Sequence, residues 1–327
     1  MTELAEAAFL AAAGDTGPAG PRDRRFGAFL RTFDERAFRE GLKARSLRWI
    51  GRSEPGFPAA LAAIFDPPPG LFLRGSAPIQ MLDRSAVAIV GARACSPYGT
   101  HVARMLGREL AAAGLLVVSG LARGVDGAAH RGALEAGGTT IAVLGCGVAR
   151  DYPAVHAELA RRIAESGLVV SEYPPDVDPA PWRFPARNRI IAGLASATVV
   201  VEARARSGAL ITADFALEEG REVFAVPGEI TSALSEGTND LIRLGATPLR
   251  RAEDVLESFG LARSTGNEVE VGAAAGAILA RLREGAASAD ELARATSLPA
   301  GELGAALTEL ELAGVVSEGE GVYRTAL

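Results

Sequence analysis

From residue 85 to residue 226 the chain repeats one pattern: a short apolar run, a loop bearing glycine, then an alanine-rich stretch with helical spacing. The apolar runs at 86–90, 115–119, 140–144, 168–171, 198–202 and 222–226 are mostly continuous rather than alternating. Such runs suit strands of a parallel sheet covered on both faces. Stretches such as 99–113 and 203–219 predict the covering helices. The expected architecture is a doubly wound, mostly parallel α/β sheet, which binds ligands outside the carboxyl ends of its strands.

Residues 1–50 predict short helices around a Gly- and Pro-rich loop at 14–21, and residues 55–75 a short helix, a proline stop and an extended piece. Beyond residue 256 the pattern changes. A linker, 257–271, precedes a helix over 276–283, and Ser288 with Glu291 forms a capping-box match that opens a second. Pro299 marks a turn before a third helix at 301–313, and residues 315–325 predict a hairpin around Gly319 and Gly321. The expected units are an N-terminal helical region 1–50, an α/β domain 51–256, the linker, and a winged-helix-like domain 272–327.

A hydrophobic content of 48% and a mean hydropathy of +0.17 fit a packed globular chain. No apolar run approaches the ~18 residues of a membrane span, and Met1 is followed by no basic, apolar leader, so a cytoplasmic protein is expected. Two cysteines (Cys95, Cys146) and three scattered histidines (His101, His130, His156) supply neither a disulfide scaffold nor a Cys-based zinc site. No metal or cofactor is expected. Lys43 is the only lysine, which excludes a Walker A loop, a Schiff-base lysine or a Ser-x-x-Lys nucleophile downstream.

The net charge of −6 at first argues against a nucleic-acid partner, but the distribution of that charge points the other way. Residues 252–327 carry 13 Asp and Glu against 5 Arg, leaving 29 basic against 27 acidic side chains in residues 1–251. Binding follows local patches rather than the total. The third helix of the tail, the DNA reader in a winged-helix module, carries Glu302, Glu309 and Glu311 and no cation. A protein-contact or regulatory role is expected for it.

The richest candidate stretch is 181–194, PWRFPARNRIIAGL, where Arg183, Arg187 and Arg189 stand with no acid among them and Trp182 and Phe184 interleave. A helix starting near Pro185 would bury Ile190, Ile191 and Leu194, point Arg189 the opposite way, and place Arg187 and Asn188 in the first turn. The alternatives are a polyanion contact on a rigid support or a loop of solvated arginines. The strand ends themselves are lined with glycines, hydroxyls and arginines, a phosphate cradle that needs no lysine.

Other motifs are weaker. GARACSPYG at Gly91 and GCG at Gly145 do not complete a dinucleotide fingerprint. Ser119, Asp126 and His130 admit a catalytic grouping, against the plainer reading of a capping Asp bonded to His130, and no nucleophile-elbow sequence accompanies them. Residues 207–212, SGALIT, suit either a cleft-facing turn or an ordinary N-cap.

Taken together, GAR at 91 with SPYG at 96, SGLARGVDGAAHRGAL at 119, VLGCGV at 143, SEYPP at 171, FPARNRIIAGL at 184, VVVEARARSGALITA at 199, VFAVPG at 223 and EGTNDLIRLGA at 236 resemble the DprA/Smf family, the DNA-processing proteins of natural transformation. The resemblance runs from about residue 55 to 254. It implies an extended Rossmann-like domain without established enzymatic activity that binds single-stranded DNA, dimerises and helps load the RecA recombinase. It implies a strand-binding pocket at Gly91, Arg93, Ser119, Gly120, Phe184, Arg187, Asn188, Arg189, Ser207 and Gly208, with the arginines on phosphates and Phe184 stacking on a base. The N-terminal helices lack the family's frequent helix-hairpin-helix glycine pattern. A rival reading is a nucleotide-handling enzyme of the lysine-decarboxylase-like phosphoribohydrolase group, whose P-G-G-x-G-T-x-x-E hallmark is absent.

Overall fold

The computed structural model describes residues 3–12, 25–261, 272–312, 314–319 and 321–325. The expected loop at 14–21 lies outside the described residues, as does 262–271 of the expected linker. The chain forms two compact units, residues 1–262 and 263–327.

The first unit is built on a nine-stranded sheet in the order β1-β2-β6-β5-β4-β3-β7-β8-β9. Its strands are β1 (Leu47–Gly51), β2 (Gly70–Arg74), β3 (Ala86–Val90), β4 (Leu116–Ser119), β5 (Thr140–Val143), β6 (Leu168–Ser171), β7 (Ala197–Val200), β8 (Glu222–Ala225) and β9 (Thr247–Pro248). From β6 to β9 all pairs are parallel, while β1–β2 and β2–β6 are antiparallel. All six apolar runs are strands in this sheet. The extended piece before residue 75 is β2. β1 straddles the expected boundary at residue 50, so the end of that region is sheet rather than helix.

The helices of this unit are α1 (Glu3–Ala12), α2 (Phe26–Leu30), α3 (Glu35–Ala44), α4 (Ala59–Ala62), α5 (Pro97–Ala112), α6 (Val125–Glu135), α7 (Ala157–Ser166), α8 (Arg183–Leu194), α9 (Gly208–Glu218), α10 (Glu236–Arg243) and α11 (Ala252–Ser258). Strand β3 explains why they cover both faces. Ala88 and Val90 pack with Ile190, Ile191 and Ala213 of α8 and α9, whereas Val87 and Ile89 pack with Leu106, Leu110 and Val125 of α5 and α6. Every side chain of β3 is therefore buried, and the continuous apolar run is required. Helices α5 and α6 touch backbone to backbone at Gly132, where a Cβ would lie 1.9 Å from the Arg104 carbonyl oxygen.

The second unit contains α12 (Ala273–Glu284), β10 (Ala287–Ser288), α13 (Ala289–Thr296), α14 (Ala300–Leu312), β11 (Val316–Gly319) and β12 (Val322–Thr325), with a sheet ordered β10-β12-β11. Its core is formed by Ile278, Leu282, Leu292, Leu303, Leu307 and Leu310. The capping box at Ser288 closes as the spacing requires: Ser288 Oγ accepts from the Glu291 N–H, and Glu291 accepts from the Ser288 N–H at 2.8 Å. Glu302, Glu309 and Glu311 lie on the exposed side of α14.

Candidate nucleic-acid interface

Strand order reverses between β3, which leads on through α5 to β4, and β7, which lies on its other side. Such a switch point parts the loops above it and leaves a crevice. A cavity of about 250 Å³ occupies that crevice, bounded by the end of β3, the loop after β4, helix α8 and the start of α9. Gly91, Arg93, Phe184, Arg187, Asn188, Ser207 and Gly208 all line it.

Arg187 forms much of the wall. Helix α8 begins at Arg183, two residues earlier than the proline suggests, so Arg187 and Asn188 sit beyond the first turn. The Arg187 side chain is buried. It donates to the carbonyl oxygens of Gly120, at 2.8 Å, and Val143, and to Asn188 Oδ1 at 3.2 Å. It lies so close over Gly120 that a Cβ there would stand 2.5 Å from its terminal nitrogen. This close approach is the reason for glycine at 120. Burial lowers the Arg187 pKa to about 10, which still leaves the guanidinium charged at neutral pH.

The countercharge is Asp126, also lining the cavity, whose Oδ2 accepts from the backbone N–H groups of Gly120 (3.2 Å) and Ala122 (3.3 Å). Burial raises the Asp126 pKa, against the lowering influence of Arg187. Asp126 thus does not bond His130. His130 Nδ1 donates to Thr140 Oγ1 at 2.7 Å, because that hydroxyl spends its own proton on the Val117 carbonyl. Ser119 is fully buried and donates to the Ile89 carbonyl at 2.6 Å. Ser119, Asp126 and His130 therefore form no relay, and Ser119 supports the cavity floor from within the sheet instead of lining it.

On the opposite wall Ser207 is the N-cap of α9, its Oγ accepting from the Ala209 N–H at 3.3 Å. Asn188 Nδ2 donates to the Gly208 carbonyl at 3.0 Å, which locks the start of α9 to α8. The Ala209 and Leu210 N–H groups are taken by Ser207 itself, so what this helix end offers an anion is chiefly the positive end of its dipole. Glu202, unremarked within its EARARSGA motif, fixes the third side. It accepts from Ser96 N (2.8 Å) and Ser96 Oγ (2.5 Å), and its carbonyl takes the Ala92 N–H at 2.7 Å. The Gly91–Ser96 loop is thereby tied to the end of β7.

At the mouth, Phe184 packs under the Arg93 guanidinium, 5.1 Å from the ring centroid, and against Tyr152, 5.4 Å away and inclined by 26°. Arg93, Arg123, Arg204 and Arg206 are exposed, and among the described residues none of their guanidinium groups has an ion-pair or hydrogen-bond partner.

Arg189 lies elsewhere. Its guanidinium makes a two-pronged ion pair with Glu172 (2.8 Å to each oxygen) and a third contact with Asp66 (3.0 Å), at 11% side-chain exposure. It faces away from the cavity, as the helical spacing requires, and meets acids from two other loops. Cys146 is buried and its thiol pushed up to about 11 by burial, the behaviour of a small packing residue. Among the described residues no helix is long and apolar enough to cross a membrane.

Comparisons with known proteins place these features in a family. The profile of the family described as DNA recombination-mediator protein A matches residues 48–260, and that of the DprA winged helix domain matches 262–321. Protein Smf of Escherichia coli is 41% identical over 279 residues, covering 82% of this chain and 74% of that protein. The X-ray structure of DNA processing protein A (DprA) from Streptococcus pneumoniae superposes with a TM-score of 0.66 at 40% identity, over 71% of this chain and 80% of that one. A structure of DNA processing protein A from Helicobacter pylori, described for its single-stranded DNA binding mode, gives 0.59 at 31% identity, over 65% and 95%. With both units matched and the sheet shared with solved members, the chain belongs to the DprA/Smf family of DNA-processing proteins.

Proposed function

We propose that this protein binds single-stranded DNA in the switch-point cavity, shields it, and hands it to a RecA-type recombinase in the cytoplasm, acting as a dimer and without catalysing a covalent step. The observation that carries the reading is the composition of one cavity wall. A buried, charged Arg187, the positive end of the α9 dipole and an aromatic ring under Arg93 converge at the sheet's switch point. Phosphates suit the first two and bases the third. Gly91, Arg93, Phe184, Arg187, Asn188, Ser207 and Gly208 are the proposed contacts, with Gly120 and Ser119 supporting them. The Helicobacter relative's single-strand binding favours this use of the shared sheet.

Arg189 is assigned to bracing α8 rather than to the strand. Helix α14 is assigned to a protein contact, since docking its glutamates on phosphates is repulsive. Fluorescence anisotropy of a labelled oligothymidylate, against the corresponding duplex and across a salt series, tests the proposal. Tight binding that prefers the single strand, with a log–log salt slope of about −3.5 for Arg187 and the four exposed arginines at about −0.7 each, is expected. Equal binding to duplex, or no binding, overturns it. Stimulation of recombinase filament formation on single strands coated with single-strand-binding protein tests the hand-over, and sedimentation equilibrium tests the dimer.

A further inference from the structure

We propose that the exposed face of Tyr152 is a second nucleobase subsite, so that a strand leaving the cavity crosses Phe184 and runs over the carboxyl ends of β4 and β5. The inference rests on the reading of the cavity as a single-strand site.

Tyr152 lies in the loop after β5, outside the cavity, and is 40% exposed while its other side packs nearly parallel on Phe184. The plain alternative is a surface tyrosine that merely shields Phe184. Three features of its surroundings favour a ligand.

First, the platform is held in place. Gly147 N–H donates to the Val177 carbonyl at 2.8 Å and Ala149 N–H to the Pro175 carbonyl at 3.0 Å, while Arg150 donates to the Asp176 carbonyl at 3.0 Å. A fixed ring loses little freedom when a base stacks on it. Second, the nearby acid is neutralised: Asp151 pairs with Arg74 at 3.4 Å, and Arg150 takes up Asp178 at 3.2 Å.

Third, the segment is tied to a loop that carries a free cation. His156 Nδ1 donates to the Leu121 carbonyl at 2.9 Å and so ties the 152–156 segment to the 121–124 loop. That loop carries exposed, unpartnered Arg123, and Val155 adds 64% exposed apolar surface. Aromatic face, apolar shoulder and phosphate-binding arginine match the nucleotide that follows one held in the cavity. Stacking of this kind tolerates any base.

Oligothymidylates carrying 5-iododeoxyuridine at successive positions, photocrosslinked to the full-length protein and mapped by mass spectrometry, provide the test together with titrations of variants. Crosslinking to Tyr152 is expected, with affinity for a long oligothymidylate about tenfold lower in Tyr152→Ala and unchanged in Tyr152→Phe. Tyr152→Leu, which keeps apolar bulk but has no ring, should bind as weakly as Tyr152→Ala. Arg123→Ala should reduce the salt slope by about 0.7. A dinucleotide confined to the cavity should bind wild type and Tyr152→Ala alike. Wild-type affinity for the long strand in folded Tyr152→Ala overturns the subsite, as do crosslinks confined to residues 204–206. Failure of the wild type to bind any single strand overturns the cavity reading itself, a result distinct from either.

Discussion

The molecule carries two places where nucleic acid could dock, and they are built in opposite senses. The α/β body offers a crevice with a buried arginine, a helix N-terminus and an aromatic shelf, edged by exposed arginines. The second unit offers the arrangement associated with DNA reading, three helices and a wing, yet the exposed side of α14 presents three glutamates. Fold alone favours the second; electrostatics favours the first. Affinity for a polyanion is set by which surface can release counterions, so charge placement outranks module type.

The sharpest way to break this comparison is to remove the buried cation of the cavity wall. Arg187→Ala leaves the buried Gly120 and Val143 carbonyls without their side-chain donor, and each such orphaned group costs about 1–3 kcal/mol. Urea denaturation should report that loss, and oligothymidylate binding should be abolished. Arg189→Ala orphans Glu172, which is also buried, so its stability cost should approach the same range, yet binding by the folded fraction should stay within twofold. Equal losses of binding in both variants would contradict the division of labour between the two arginines.

Acid separates the two units next. His130 is fully buried and its pKa is lowered to about 3, chiefly by desolvation. The unfolded chain, at the ordinary value near 6.5, therefore takes up a proton that the folded body refuses. That stability is fully present above about pH 6.5 and is lost as pH falls toward about 3. All three histidines belong to the first unit, so its urea midpoint should fall between pH 7 and pH 5 while that of the winged-helix unit stays nearly constant. Parallel shifts would contradict the assignment.

Smaller effects sharpen the picture. Phe184→Ala should weaken single-strand binding by about 1–3 kcal/mol, measured by anisotropy, with the thermal midpoint little changed. Replacing Glu302, Glu309 and Glu311 together by Gln should alter affinity less than twofold. A large gain there would mean that the strand already passes over α14.

Much of the fold is legible because the sheet is covered on both faces, so that each central strand is an unbroken apolar run. β1 is not, because nothing in the residue pattern separates LRWIG from the helix α3 before it; what stops the helix is Ser46, at φ 55°, a conformation no pattern announces. At the cavity, the arginines and aromatics of 181–194 and the glycine- and hydroxyl-bearing strand ends are legible from residue type, while the roles of Arg93, Phe184, Arg187 and Ser207 come from the family resemblance. Arg187 and Arg189, two residues apart, look equivalent in sequence. They differ only in what the tertiary fold brings to each: the carbonyls of Gly120 and Val143 to one, the carboxylates of Glu172 and Asp66 to the other. Tyr152 and Glu202 are silent for the same reason, since each acts through a partner more than thirty residues away.

Hydrogen–deuterium exchange of the full chain with and without saturating oligothymidylate tests the central claim most directly. The account predicts slowed exchange at the start of α9 (208–212) and in the loops at 91–95 and 119–124, with residues 300–312 unchanged. Protection centred on 300–312, with the switch-point loops exchanging as in the free protein, would contradict it.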